Sequence, residues 1–382
     1  MRFLSLLLSM FLCSPAAAQS LFSFSNVPGE HGVGVRFVEQ YDTSRSFKGS
    51  PHGRPIQTVV WYPAQKQGTA LRYGEYVDLI GWETNFRLAP AARKELVDKW
   101  IDFVTDGKRG AQARAERDKP MWAVRDALPK AGKFPVVIYA PSVNNTAFEN
   151  ADMAEYLASH GYIVISSPTI GADGRYMKRT LRDAELQVSD IRFLISYAET
   201  LPQADAARVA VAGFSWGGLT NVLAAAKDAR IKALVCMDGA VRYYNMLVAT
   251  AGYANPAKLK TPLLFLAQTP ASMEFNIRHK EDMSGSFLDG MTRADVYLLT
   301  MYPMDHVHFG SSFIRFDEPA DYREYTAQEV SFAYSLGTRY VLNFLNGYLK
   351  ADPTGLAYLR NPPVKNGAER HSMIMDFRPA KP

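Results

Sequence analysis

Gly213-Phe-Ser215-Trp-Gly217-Gly218 is the stretch of this 382-residue chain whose residue types and spacing most directly imply chemistry. A side chain that must stand exposed at the end of a buried strand needs a very sharp strand-to-helix turn. Glycines two residues before and two after it leave room around the strained backbone. The flanking sequence supplies that context: Arg208–Ala212 reads as a buried strand and Gly217–Lys227 as a helix. The N-terminus of such a helix offers backbone N–H groups and a partial positive charge to a developing oxyanion. The chemistry implied is nucleophilic acyl transfer through Ser215.

A serine hydroxyl is a weak nucleophile until a base takes its proton and an acid orients that base. On the α/β-hydrolase fold, where elbows of this kind occur, the chain order is Ser, acid, His. Four histidines lie downstream of Ser215. His279 stands between Arg278 and Lys280 and reads as exposed, and His371 falls in a polar tail. His306 and His308 lie in Tyr302-Pro-Met-Asp-His306-Val-His308-Phe309-Gly310, just after the strand-like run Asp295–Thr300. A loop at a strand's C-terminal edge reaches the serine, so His306 is the expected base and His308 the reserve. Alternate residues of an extended segment share a face, so the pair also has metal-ligand spacing. The pair lacks an obvious third ligand nearby, and no metal is expected. For the acid, the loop after Pro262–Gln268 has no early Asp. Asp238, which ends the strand Ile231–Met237, is the expected acid, with Glu274 in reserve. Asp305 adjoins His306, and neighbouring residues rarely present side chains in that geometry.

Positioning these groups requires a sheet. Val33–Glu39 and Gln57–Tyr62 read as an opening pair of strands, and Pro135–Ala140 as a fully apolar, buried one. A helix over Glu149–His160, ended by Gly161, leads to strand Tyr162–Ser166. Thr180–Ala198 carries Leu181, Ala184, Val188, Ile191, Ile195 and Ala198 on one helical stripe. A last helix covers Ala327–Tyr348. This alternation predicts one α/β domain over residues 19–382, with a mostly parallel central sheet flanked by helices. Residues 65–133 interrupt it before the third strand. Leu96, Val97, Trp100, Ile101 and Val104 fall there at helical spacing, so the segment reads as a helical insertion, a candidate lid or a flanking embellishment.

With Ser215, Asp238 and His306 placed, the chain resembles the platelet-activating-factor acetylhydrolase family and related dienelactone-hydrolase-like esterases. The likeness runs from about Val33 to His308. It includes Asp42-Thr-Ser-Arg45, Arg54, Val60-Trp-Tyr-Pro-Ala64, Phe134-Pro-Val-Val-Ile-Tyr139, Leu157-Ala-Ser-His-Gly-Tyr162, the elbow, Pro262-Leu-Leu-Phe-Leu266 and His306 with Phe309. In that family the acid follows the strand after the elbow, which matches Asp238. Where the family has His-Gly before its first long helix, this chain has Pro141-Ser142. The resemblance then implies Val143 N–H and Trp216 N–H as the oxyanion donors. It also implies a cofactor-free hydrolase of carboxylic esters with short acyl chains. A peptidase, a lipid or polyester hydrolase on the same scaffold, and an inactive hydrolase-fold binding protein are the alternatives.

The remaining sequence bounds context. Met1-Arg2, the apolar run Phe3–Cys13 and Ala16-Ala17-Ala18 after Pro15 form a signal-peptide pattern over residues 1–18, too short to span a bilayer. A secreted or periplasmic protein without a stable membrane anchor is expected. Cleavage there leaves one cysteine, Cys236, inside an apolar strand, where it reads as a core residue. The composition is globular, 47% hydrophobic and 21% charged. The net charge of +5 is spread among interleaved acids, which describes a solvated surface rather than a nucleic-acid site. The expected partner is a small-molecule ester.

Overall fold

A computed structural model of the chain describes residues 21–105, 110–270, 286–317, 322 and 324–382. The signal-peptide pattern, Glu274 and His279 lie outside the described residues. The strands are β1 (Gly32–Asp42), β2 (Arg54–Ala64), β3 (Ala70–Arg72), β4 (Pro120–Arg125), β5 (Phe134–Ala140), β6 (Ile163–Ser166), β7 (Ala204–Phe214), β8 (Ile231–Met237), β9 (Leu263–Ala267), β10 (Val296–Met301) and β11 (Met373–Arg378). They form one sheet in the order β11-β10-β9-β8-β7-β5-β6-β2-β1-β4-β3. The six from β10 to β6 run parallel, and β2 and β11 pair antiparallel at the two flanks of that block.

Parallel neighbours need long crossovers. Helices Ala151–Ser159, Leu181–Glu199 and Trp216–Ala225 supply them after β5, β6 and β7. The middle strands are apolar on both faces because both faces are covered. On β7, Ala210, Ala212 and Phe214 enter one core with Tyr139, Met237 and the closing helix Ala327–Leu349. Val209 and Val211 enter the other, with Ile138, Cys236 and helix Leu181–Glu199. Cys236 is fully buried and unpaired.

Local signals place the helix ends. Thr180 caps its helix by accepting the Asp183 N–H at 3.3 Å. The helix Ala151–Ser159 ends at Gly161, whose φ of +82° glycine adopts at no steric cost.

Two segments depart from expectation. The 65–133 insertion is not purely helical: β3 and β4 extend the sheet beyond β1, around helices Pro90–Val104 and Gly110–Arg117. β4 is short, and three-residue β3 carries no readable period. The polar tail is also structured, with helix Pro353–Arg360 followed by β11, an antiparallel partner for β10. Its Met373-Ile-Met-Asp-Phe-Arg378 run gains strand geometry by pairing with β10.

Candidate functional site

β7 runs through the middle of the sheet, and its end is where the backbone is most constrained. Ser215 has φ +52° and ψ −113°, a conformation few non-glycine residues adopt. The turn persists because its surroundings permit nothing else. A Cβ on Gly217 would lie 1.9 Å from the Ala140 carbonyl oxygen, and one on Gly213 would lie 2.3 Å from the Gly217 backbone. The Ser215 N–H donates to the Met237 carbonyl at 3.0 Å, locking the elbow to β8. Trp216 opens the helix, so its N–H has no intrahelical acceptor.

Beside it, Asp238 leaves β8 with φ +41°, and its N–H donates to the Leu266 carbonyl at 2.7 Å. The carboxylate is fully buried. Its Oδ2 lies 2.5 Å from His306 Nδ1 and accepts the Tyr243 hydroxyl at 2.6 Å, while Oδ1 accepts the Gln268 N–H at 3.2 Å. Gln268 Nε2 in turn donates to the Tyr243 hydroxyl at 2.7 Å. A carboxylate on one side of the ring fixes the proton on Nδ1. Nε2 is thereby left as an acceptor, 2.9 Å from Ser215 Oγ. The imidazole packs against Phe214 and Tyr243, with ring centroids at 5.1 and 5.9 Å. The fold thus brings Ser215, His306 and Asp238 into one hydrogen-bonded line.

His308, the reserve base, is turned the other way. Its Nδ1 accepts the Asp305 N–H at 3.0 Å, its Nε2 lies 3.6 Å from Asp317 Oδ2, and its ring stacks on Tyr322. Residues 306–309 form a single 3₁₀ turn capped by Asp305, so alternate side chains do not share a face as they would in a strand. The two imidazoles therefore serve different partners, and His308 shapes the turn that presents His306.

The loop after β5 faces Ser215 from the other side. The Asn145 N–H donates to the Ser142 carbonyl at 3.2 Å, closing a tight turn with Val143 and Asn144 at its centre. Asn144 takes φ +59°, which Asn tolerates, so the turn forms without the family's glycine. Behind it, Thr169 Oγ1 and Gln187 Nε2 both donate to the Pro141 carbonyl, at 3.1 and 2.9 Å. Arg54 holds the loop that carries Thr169: its guanidinium donates to the carbonyls of Ile170 and Gly171 and to both oxygens of Asp190.

Sequence reasoning passed over Glu149, Asn150, Tyr243 and Gln268. Glu149 is fully buried, and burial pushes its carboxyl up to about 7 against the pull of its hydrogen bonds and of His306. An acidic residue one turn before an apolar helix reads locally as a helix start; only packing reveals its partners. Most aromatic residues near the motifs are ordinary core: Phe148 packs with Tyr73, Tyr76 and Trp100, and Trp122 with Phe24.

A mostly parallel sheet, a serine on a strained elbow after its central strand, an Asp at the end of the adjacent strand β8 and a His in the turn after β10 define an α/β-hydrolase. The chain belongs to the dienelactone hydrolase family, whose profile matches residues 123–329, more than half of its length. The matched region contains Ser215, Asp238 and His306. A Methylorubrum extorquens protein provisionally named a carboxymethylenebutenolidase is 26% identical over 160 residues, covering 37% of this chain and 53% of that one. The match thus spans about half the length of that curated relative. Among solved structures, a ferulic acid esterase from Streptomyces cinnamoneus superposes with a TM-score of 0.61 at 18% identity, over 94% of this chain and 99% of that one. That likeness is one of fold.

Proposed function

We propose that the protein hydrolyses small carboxylic esters by two-step acyl transfer, with Ser215 as nucleophile, His306 as base and then acid, and Asp238 as the carboxylate that orients the imidazole. The observation that carries this reading is the unbroken line from Ser215 Oγ through His306 to Asp238, at 2.9 and 2.5 Å. Ser215 Oγ bonds to the ester carbonyl carbon as Nε2 takes its proton, and the Trp216 and Val143 N–H groups bind the oxyanion. The leaving alcohol departs with the proton from the imidazolium. Water then repeats the sequence on the acyl-enzyme and returns the hydroxyl to Ser215. The proton balance closes on His306, so the cycle needs no cofactor. Membership of the dienelactone hydrolase family supports ester hydrolysis, and the wider sequence resemblance supports short acyl chains.

The test is turnover across acetyl, butyryl and longer p-nitrophenyl esters, with covalent labelling by a fluorophosphonate probe. Ser215→Ala should lose labelling and reduce kcat by on the order of 10⁴–10⁶. A wild-type protein that neither labels nor turns over these esters would instead be the binding-protein alternative.

The residue 1–18 pattern further supports export to the periplasm or the medium. N-terminal sequencing of the protein from those fractions should begin at Gln19. An uncleaved, cytoplasmic chain would refute export. No helix among the described residues is long and apolar enough to cross a membrane.

A further inference from the structure

Glu149 takes no part in the proton transfers above, yet it is the acceptor around which the oxyanion side of the site is organised. Its carboxylate accepts four hydrogen bonds: from the Ser142 N–H at 2.9 Å, the Ser142 hydroxyl, Asn145 Nδ2 at 2.5 Å and the Tyr139 hydroxyl at 2.7 Å. Three of these come from the first and last residues of the turn that presents Val143. The same short segment also reaches the other half of the site. The Glu149 carbonyl accepts the Ser312 N–H at 3.0 Å, and Asn150 accepts the Ser311 N–H at 3.0 Å while donating to the Phe309 carbonyl at 3.0 Å. Phe309 ends the turn that carries His306, and residues 310–312 directly follow it.

A carboxylate is suited to this position because all its neighbours donate. Each of its two oxygens accepts, whereas an amide would turn an N–H₂ group towards donors. Burial makes the charge costly and its hydrogen bonds offset part of that cost, which leaves the carboxyl up at about 7.

We propose that Glu149 is a positioning residue for the oxyanion: by gripping Ser142 and Asn145 it fixes the 142–145 turn with the Val143 N–H aimed at the substrate carbonyl oxygen, in register with His306. This inference rests on the esterase reading above. Glu149 acts through the turn and touches no reacting atom, so its loss should appear in the transition state rather than in substrate binding.

The experiment compares wild type, Glu149→Gln, Ser142→Ala and Asn145→Ala. It measures kcat and KM on p-nitrophenyl acetate, affinity for an arylboronic acid, whose tetrahedral serine adduct places an oxygen in the oxyanion position, and the melting midpoint. Glu149→Gln should lower kcat by about 10²-fold with KM little changed, the scale of one lost oxyanion donor. Boronate affinity should fall in proportion to kcat/KM. Ser142→Ala and Asn145→Ala, each removing one grip, should show smaller losses of the same kind. If Glu149→Gln does not fold, those two variants decide the matter by the same split. The proposal is overturned if wild type is active but the folded variants keep its kcat and boronate affinity. It is equally overturned if their losses lie in KM and melting midpoint alone. Absence of activity in wild type would overturn the esterase reading itself, and the positioning role with it.

Discussion

Asp238 holds two donors on one oxygen, His306 and Tyr243, and a third on the other. Such an acid sets the tautomer of the ring as well as its place. An Asn at that position offers an amide oxygen of weaker pull and an N–H₂ that favours the wrong tautomer. Asp238→Asn should therefore cost about 10⁴ in kcat while KM moves little. His308→Ala tests the division of labour within the pair: it removes the ring that closes the 306–309 turn. The expected result is a stability loss of about 1–3 kcal/mol with most of kcat retained. Steady-state kinetics beside thermal denaturation checks both variants. A dead His308→Ala that still melts like wild type would reverse the assignment.

At the scale of elements, the insertion is tied to the body through buried acids. Glu155, on helix Ala151–Ser159, accepts the Tyr76 hydroxyl and the Trp122 N–H, each at 2.6 Å, and so grips both a helix of the insertion and β4. Glu83 is likewise buried and pairs with Arg175 at 2.7 Å. Burial pushes both carboxyls up to about 7. In the unfolded chain a glutamate titrates near 4.3, so between about 4.5 and 7 the folded state keeps a proton that the unfolded state has lost. Stability from such a group is full below that window and falls as pH rises through it, by as much as ~3 kcal/mol for one residue. Glu155→Gln removes this dependence. The melting midpoint of the variant relative to wild type should therefore climb from pH 5 to pH 8. Parallel curves over that range would show that Glu155 does not hold the extra proton.

Across the whole molecule, one side chain links four distant pieces. The Arg315 guanidinium lies between the rings of Phe22 and Tyr73, at 4.9 and 4.3 Å, and pairs with Asp152 at 2.6 Å and Glu116 at 3.1 Å. It thereby joins the N-terminal segment, the insertion, helix Ala151–Ser159 and the stretch that follows His306. Removing one partner of a buried ionic cluster leaves the others uncompensated. Arg315→Ala should cost about 3–5 kcal/mol. A melting midpoint that drops by less than a degree would mean that water replaces the guanidinium at little cost.

Much of this molecule is legible in its sequence because the decisive features are local. The G-x-S-x-G spacing reports a sharp turn, and Gly217 and Gly213 sit where the backbone has no room for a Cβ. Continuous apolar runs report strands covered on both faces, and β8 falls at the residues read from the sequence. What only the tertiary structure decided is which distant groups meet. Ser215 and His306 are 91 residues apart, and Asp238 and His306 are 68 apart. The register of parallel strands brings them to one edge, and a 3₁₀ turn rather than an extended loop sends His308 away from it. The strands of the insertion and tail stayed hidden because their hydrogen-bond partners are remote in sequence: β4 lies between β1 and β3, and β11 pairs with β10. Glu149 stayed hidden for the same reason: periodicity records which way a side chain faces, while the donors that make a buried carboxylate useful are assembled only when the chain folds.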